Sequence, residues 1–288
     1  AVAVGGNVAL ERTLANARYV LGHAGLGEVP VVAGAAGPIG GDGEGRAGSV
    51  HGEDGLAGYG PPLDSGPPSS GAPPSGVPFG GPPLLGVLER FGQPASFDQP
   101  APAHLLAIGP LTNVALALEA EPRLPARLDR LVAMGGAFGS PAGNISPHAE
   151  FNFWADPGAA AAVCRAPCPL ELVPLDVTEQ VALGADALAF LEARLGPSSL
   201  ACNVVRAGME LHRRQGGVAR LPLHDPLAAA VLVEPGLVGE VESGLSVCVE
   251  GPERGQVRLV DDEPVHRVAL SVDAARAEAA ILDALTGD

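Results

Sequence analysis

The residues best suited to chemistry lie in four polar segments, each directly after a run of apolar residues. They are residues 6–7, 108–113, 134–153 and 223–226. In open α/β sheets, ligands bind in the crevice at the carboxyl ends of the strands. If the apolar runs are strands, the four segments meet at one edge of a sheet, and a ligand site is expected there.

The segment around residue 150 has the most informative composition. Asn144, Glu150 and Asn152 place two carboxamides and a carboxylate within nine residues, and residues 151–154 include three of the chain's ten aromatic side chains. Hydrogen-bonding groups interleaved with apolar rings suit the recognition of sugar hydroxyls in a partly dry pocket. The rings could equally anchor the loop to the core, and the sequence favours neither interpretation.

His224 and Asp225 form a second candidate pair at the end of an apolar run. Asp225 followed by Pro226 predicts a helix with Asp225 as N-cap and Pro226 at the first position. Asp156 is also followed by proline, but has no neighbouring histidine. A single histidine is more often structural than catalytic. Thr112 has a similar alternative, because it precedes a predicted helix and capping is the simpler interpretation of it.

The sequence lacks the common motifs for nucleotide binding and for a serine nucleophile. His51, Glu53 and Asp54 lie in a glycine-containing turn, where paired acids are usually only solvated. The chain has no dinucleotide fingerprint or phosphate-binding loop between a strand and a helix, and no G-x-S-x-G nucleophile elbow. A nucleotide-dependent α/β enzyme is therefore disfavoured.

Net charge, hydropathy and cysteine spacing exclude several further classes of function. The formal net charge of −16 would repel nucleic acid and anionic membrane surfaces, so neither is an expected partner. No stretch is apolar enough for a transmembrane helix, and the first residues do not look like a signal peptide. The four cysteines show no metal or disulfide spacing; they are Cys164, Cys168, Cys202 and Cys248. We expect buried thiols in a cytoplasmic protein.

The hydrophobic pattern predicts alternating strands and helices. The expected strands are residues 29–32, 104–108, 131–134 and 170–173, followed by 244–250, 256–260 and 265–271 in a smaller sheet region. The expected helices are residues 10–24, 113–121, 184–195, 199–214 and 274–285, with others starting at Asp156 and Asp225. This alternation is typical of an α/β fold, Rossmann-like, with a mainly parallel sheet and helices on both faces.

One long segment does not fit this alternation. Residues 59–83 hold nine prolines, six glycines and a single charged side chain. Such a composition does not sustain a helix or a strand, and it predicts a flexible loop within a single domain over residues 1–288.

Eight segments in order carry a resemblance to a known family. They read GNV (6–8), LERTLANARYVLGHAG (10–25), VPVVAGAAGPI (29–39), HGEDGL (51–56), AIGPLTN (107–113), AMGGAFG (133–139), GNISPHAEFNFWADP (143–157) and LHDPLA (223–228). Together they resemble the inosine-uridine-preferring nucleoside hydrolases. The resemblance spans nearly the whole chain, and it implies an enzyme that hydrolyses the N-glycosidic bond of ribonucleosides to ribose and free base.

The resemblance also implies roles for individual residues. Substrate binding falls to five of them, which are Asn7, Asn144, Glu150, Phe151 and Asn152. His224 would be the general acid that helps the base to leave. The family implies a bound Ca²⁺, for which Asp225 would supply a carboxylate and Thr112 a backbone carbonyl. A ribonucleoside is the implied substrate, and family members often associate, so a homo-oligomer is possible.

The sequence departs from the family pattern in one respect. Family members carry a D-x-D-x-x-x-D-D motif that supplies the general base and further Ca²⁺ carboxylates, and these 288 residues do not contain it. We therefore expect a chain that is truncated at its N-terminus, without the first strand and helix, with a gap in its sheet and an incomplete Ca²⁺ ligand set. The alternative is a catalytically inactive descendant that binds ribose or acts as a scaffold.

Overall fold

A computed structural model describes most of the chain. The described residues are 1–39, 52–62, 82–91, 103–139, 143–214 and 217–287. The predicted flexible loop at 59–83 falls mainly outside them, since only residues 59–62 and 82–83 are described. His51 of the HGEDGL segment also lies outside them.

The strands form one large sheet and two small ones. In chain order they are β1 (Val2–Ala3), β2 (Val32–Ala33), β3 (Ala103–Ala107), β4 (Leu128–Met134), β5 (Leu170–Val173), β6 (Ala182–Leu183), β7 (Leu221–Pro222), β8 (Val238–Val247), β9 (Val257–Val260) and β10 (His266–Val272). The large sheet has the order β3-β4-β5-β10-β8-β9, and the small ones are β1-β2 and β6-β7. From β3 to β10 all neighbours are parallel, whereas β8 runs antiparallel to both β10 and β9.

Helices connect most of the strands. In chain order they are α1 (Leu10–His23), α2 (Pro83–Phe91), α3 (Thr112–Ala120), α4 (Phe151–Ala155), α5 (Pro157–Arg165), α6 (Leu175–Thr178), α7 (Ala185–Leu195), α8 (Leu200–Arg214), α9 (His224–Val233) and α10 (Ala274–Thr286). Within the described ranges, no helix has the length and apolar content that crossing a membrane requires.

The side chains of β4 show why helices cover both faces of the large sheet. Successive residues of a strand point to opposite faces. Leu131 and Ala133 belong to one buried apolar cluster with α3 and α5, whereas Val132 and Met134 belong to another with α7 to α10. All four side chains are buried. A strand that is apolar on both faces needs a helical layer on each, and the α/β fold predicted from the sequence is confirmed.

Two sequence predictions about strands were wrong. The strand expected at 29–32 is the two-residue β2, and the strands β8, β9 and β10 belong to the large sheet instead of a smaller one. The pairing of β10 with β5 brings them there, with Val268 opposite Leu172 and both side chains fully buried. Alternation along a strand predicts its faces but carries no information about which neighbour it pairs with.

The β1-β2 pair is attached through a side chain of α3. Asn113 Nδ2 donates to the carbonyl of Ala3 at 3.1 Å, and Asn113 Oδ1 accepts from the amide of Ala35 at 2.8 Å. One buried carboxamide therefore satisfies backbone groups of both segments, and it holds residues 1–8 next to the end of β3.

Candidate active site

The candidate site lies where β4 and β5 end. The amide of Gly135 donates to the carbonyl of Val173 at 3.2 Å, and the amide of Leu175 donates to the carbonyl of Gly136 at 3.0 Å. Both glycines have positive φ, 158° and 75°, a region that L side chains rarely adopt. The chain can therefore turn sharply after β4, and the amide of Gly136 faces the segment around residue 150.

Glu150 is the buried anchor of that segment. Its Oε1 accepts from the amide of Asn152 at 2.8 Å, and its Oε2 accepts from the amides of Phe153 at 3.2 Å and Gly136 at 3.1 Å. It is thus the N-cap of α4 and ties that helix to the end of β4. Burial raises the pKa of Glu150 to about 7 against the opposing effect of these three bonds, and the charge of Asp225 adds to the rise.

The residues after Glu150 divide between the site and the core. Asn152 Nδ2 donates to the carbonyl of Met134 at 3.2 Å, which holds this side chain at the carboxyl end of β4. Phe153 is fully buried in the core, so the anchoring interpretation of the aromatic residues applies to this ring. Phe151 is 7% exposed and lies on the other side of the helix, beside the loop that follows β1.

Residues 6–7 lie against the segment around residue 150. The sequence predicts this contact, because both segments follow strands and are expected at the same edge of a sheet. A Cβ built on Gly6 would lie 3.8 Å from Phe151 Cε1 and 3.2 Å from Pro110 Cδ, so the backbone before the half-buried Asn7 runs against both side chains. Asn144 is exposed, and its Oδ1 accepts from the amide of Phe151 at 2.9 Å. This bond uses the oxygen of Asn144 and leaves its Nδ2 hydrogens to donate elsewhere.

Thr112 does not cap the helix that follows it, so the simpler sequence interpretation of its side chain was wrong. It is the first residue of α3, whose N-cap is Leu111, and its Oγ1 donates to Asp156 Oδ2 at 2.6 Å. Asp156 also accepts from the amides of Ile39 at 2.9 Å and Ala159 at 3.0 Å. The sequence predicted Asp156 only as a helix start. Besides capping α5, its carboxylate joins that helix to two other segments, at Ile39 and Thr112.

His224 is held from a different element. Its Nδ1 lies 2.8 Å from Oγ1 of Thr178, the buried last residue of α6, and its Nε2 lies 3.8 Å from Glu179 Oε1. About 30% of the imidazole is exposed, so the ring is both positioned by the protein and open to a ligand. Sequence reasoning missed Thr178 and Glu179, because no motif marks them and their contacts are tertiary.

The predicted N-cap role of Asp225 was wrong, because α9 begins at His224, two residues before the predicted start at Pro226. The amide of Leu227 donates to the carbonyl of Leu223 at 3.1 Å, which makes Leu223 the N-cap and puts Asp225 and Pro226 in the first turn. Proline is tolerated there because the first amides of a helix have no intrahelical partner. Asp225 is half-buried, and burial raises its pKa to about 6.

Asp225 and Thr112 are the two residues that the sequence predicts as Ca²⁺ ligands, and each carries an oxygen acceptor. In the described part of the chain no hydrogen bond reaches the Asp225 carboxylate, and the Thr112 carbonyl has a second lone pair beyond any helical bond. Ca²⁺ takes six to eight oxygen ligands. No group of three or more His, Cys, Asp or Glu side chains among the described residues is placed to hold a metal. These two residues alone do not complete a calcium shell.

Two buried thiols are unsuited to nucleophilic chemistry. Burial raises the pKa of Cys164 to about 12 and that of Cys168 to about 11. The thiolate is the nucleophilic form of cysteine, so both side chains stay inert at neutral pH.

Comparison with known proteins identifies related chains. The family model described as inosine-uridine preferring nucleoside hydrolase matches residues 1–279. The non-specific ribonucleoside hydrolase RihC of Escherichia coli (strain SMS-3-5) is 36% identical over 280 residues, which cover 89% of this chain and 82% of that protein.

Solved structures agree with the sequence matches. A plant nucleoside hydrolase superposes with a TM-score of 0.83 at 26% identity, covering 100% of this chain and 90% of the other. The purine-preferring ribonucleoside hydrolase from Gardnerella vaginalis gives 0.84 at 26% identity, covering 99% and 89%.

Proposed function

The chain belongs to the inosine-uridine-preferring nucleoside hydrolase family, and we propose a role in that chemistry for each residue of the candidate site. It is a hydrolase that cleaves the N-glycosidic bond of ribonucleosides to give ribose and free base. An inactive ribose-binding descendant, the alternative drawn from the sequence, is not favoured by relatives that are themselves hydrolases. The observation that carries the assignment of roles is the convergence of Glu150, Asn152 and Asp225 beyond the end of β4.

Five residues form the ribose-binding part of the site in this proposal. They are Asn7, Asn144, Glu150, Phe151 and Asn152. The carboxamides offer donors and acceptors to the sugar hydroxyls, and the ring of Phe151 covers an apolar face of the ligand. Glu150 already accepts three backbone amides. Its main contribution is therefore to fix the segment and to place negative charge beside the sugar.

That charge matches the transition state. Breaking the C1′–N bond builds oxocarbenium character on the ribose and negative charge on the leaving base. Carboxylates near the ring stabilise the developing positive charge. A proton from His224 Nε2 neutralises the base as it leaves, while Thr178 engages Nδ1. The attacking water needs a general base, which the family places in the D-x-D-x-x-x-D-D motif.

Calcium is the ion that we propose for Asp225 and Thr112, because both offer the oxygen ligands that it prefers. A bound ion would supply a Lewis acid for the attacking water and the ribose hydroxyls, which is the role that the family resemblance implies. The two residues supply too few oxygens for a full shell, so the roles proposed for the other residues do not depend on it.

A cytoplasmic location and a ribonucleoside substrate complete the proposal. All four cysteines are free, three of them buried, which suits a reducing compartment. Self-association is proposed on the family precedent alone, and sedimentation of the purified chain tests it. A dominant monomer would remove that part of the proposal.

Ribose release from inosine and uridine tests the proposed function, measured with and without Ca²⁺. Asn152→Ala should lower kcat/KM about 100-fold, because it removes sugar contacts and the link to Met134. Asn203→Ala is the matched control, since Asn203 lies on α8 and its side chain bonds only to Ser198 and Arg206 among the described residues. Equal activity of the two variants would refute the proposed ribose site.

A further inference from the structure

The short helix α4 is held at its carboxyl end by a loop from about 100 residues later in the chain. Arg254, in the turn between β8 and β9, donates from Nε to the carbonyl of Trp154 at 3.1 Å and from Nη2 to that of Ala155 at 3.5 Å. Its guanidinium also lies 5.5 Å from the centre of the Trp154 ring. Arg254 thus satisfies carbonyls that a helix end leaves without intrahelical partners.

The backbone of the same turn packs directly on the helix. Gly255 has a φ of 79°, and a Cβ built on it would lie 2.6 Å from Trp154 Cα. Val257, two residues on, is buried, and its Cγ1 would lie 2.9 Å from a Cβ on Gly136, whose amide binds the N-cap Glu150. The hairpin therefore contacts the carboxyl end of α4 directly, and it packs on Gly136, which binds the N-cap at the other end.

A helix of five residues needs such support. Isolated helices shorter than about 12 residues are marginal in water, so α4 persists through its contacts and not through its own hydrogen bonds. The helix carries Phe151 and Asn152, which face the proposed ribose site. A change in its orientation would move both side chains relative to the sugar.

We propose that Arg254 is a positioning residue, which sets the geometry of the ribose-binding helix α4 from outside the site. This inference rests on the proposed function, because it assigns Phe151 and Asn152 to ribose binding. It predicts that removing the Arg254 side chain weakens ribose binding although Arg254 does not touch the sugar.

The chain offers a matched control on the same hairpin. Arg258 is 56% exposed and pairs with Glu253 at 2.7 Å and with Gln256, and none of its recorded contacts reaches α4. Arg258→Ala removes the same side chain type from the same hairpin. Arg254→Lys keeps the charge but loses the planar group that reaches two carbonyls.

The experiment compares the wild type with Arg254→Ala, Arg254→Lys and Arg258→Ala. KM for uridine and inosine should rise about tenfold in Arg254→Ala, with a smaller change in kcat, and Arg254→Lys should recover part of the loss. Arg258→Ala should match the wild type. Trp154 is the chain's only tryptophan, so its fluorescence emission should shift in Arg254→Ala alone.

Calorimetric titration with ribose separates this inference from the proposed function. If the wild type releases no ribose but binds it, and Arg254→Ala binds it about tenfold more weakly, the hydrolytic roles fail and the positioning role stands. Unchanged KM and unchanged ribose affinity in Arg254→Ala, despite a shifted Trp154 emission, would overturn the positioning role. Equal losses in Arg254→Ala and Arg258→Ala would also overturn it.

Discussion

Thr178 Oγ1 lies 2.8 Å from His224 Nδ1, and this hydrogen bond joins the end of α6 to the start of α9. Thr178 is fully buried, so its hydroxyl has a fixed position from which to orient the imidazole. The contact directs the other ring nitrogen, Nε2, toward the partly exposed side, where Glu179 lies at 3.8 Å. The tautomer and the direction of a catalytic histidine are set in this way by whatever binds its second nitrogen.

Thr178→Val should therefore lower kcat for inosine about tenfold, the loss expected when one positioning hydrogen bond is removed. The effect should be much smaller for a riboside whose leaving group is a stable anion, such as nitrophenolate, because that group departs without a proton. Steady-state kinetics with both substrates make the comparison. A purely structural effect would slow both substrates equally.

Thr178→Ser provides the control for that prediction. It keeps the hydroxyl and loses only a methyl group, so its kcat for inosine should stay close to the wild-type value. If Thr178→Ser were as slow as Thr178→Val, the methyl packing and not the bond to His224 would explain the loss.

The Ca²⁺ affinity of the chain should be weak and should depend on Asp225. Two residues with three oxygens at most fall well short of six to eight ligands, so we expect a Kd of about 1 mM or weaker by calorimetric titration. Asp225→Asn should abolish the remaining binding. Asp261→Asn removes an exposed carboxylate elsewhere and should leave it unchanged. Micromolar affinity of this chain, or wild-type affinity of Asp225→Asn, would contradict the incomplete shell.

Local sequence patterns predicted the helices well, because their signals lie within a few residues. The helices α1, α7, α8 and α10 begin and end within about two residues of their predicted limits. The Asp-Pro pair predicted the start of α9 too late. The same pair is compatible with a helix that begins at Pro226 and with one that already includes Asp225 and Pro226 in its first turn. The hydrogen bond from Leu227 to Leu223 decides the boundary.

The site was only partly predictable for a different reason. Composition pointed to Glu150, but not to its role as an N-cap, for which Asp, Asn, Ser and Thr are the usual residues. Thr178 and Arg254 act across 46 and 100 positions of sequence. Neither lies in a motif, and contacts at such separations depend on how the elements pack.

Glu240 should make the stability of the protein depend on pH. Burial raises the pKa of Glu240 from its usual 4.5 to about 7, and a hydrogen bond with Glu171 and the charge of that carboxylate add to the rise. Glu171 itself is buried between Arg130 at 2.6 Å and Arg267 at 2.7 Å. The folded protein therefore prefers the protonated form of Glu240.

The sign of the effect follows from the raised pKa. The stability that Glu240 contributes is fully present below about pH 4.5 and is lost as the pH rises through about 7. Because Glu240 lies largely at the surface, solvent screening reduces the change to about 1 kcal/mol. Glu240→Gln should remove this loss, so urea unfolding at pH 5 and pH 8 should differ less than in the wild type. Glu242→Gln, an exposed residue on the same strand, should keep the wild-type difference. An unchanged pH dependence in Glu240→Gln would contradict the assignment.

Asp156 should be among the most sensitive positions for stability, because its carboxylate joins three segments around the site. It is 1% exposed and accepts from Thr112 Oγ1 and from the amides of Ile39 and Ala159. Asp156→Ala leaves three donors without their acceptor, two of them buried, and should cost about 3 kcal/mol of the free energy of unfolding. Thr112→Val removes one of these bonds and should cost about 1 kcal/mol.

Urea unfolding of these two variants, together with Asp129→Ala, makes the test. Asp129 is 54% exposed and its recorded ion pair is with the exposed His104 at 3.6 Å, so its removal should change the free energy of unfolding by less than about 0.5 kcal/mol. The order Asp156→Ala, Thr112→Val, Asp129→Ala should hold in both the midpoint and the extrapolated free energy. If Asp156→Ala were no more costly than Asp129→Ala, the three segments would be held together by packing alone, and the carboxylate would not be their common anchor.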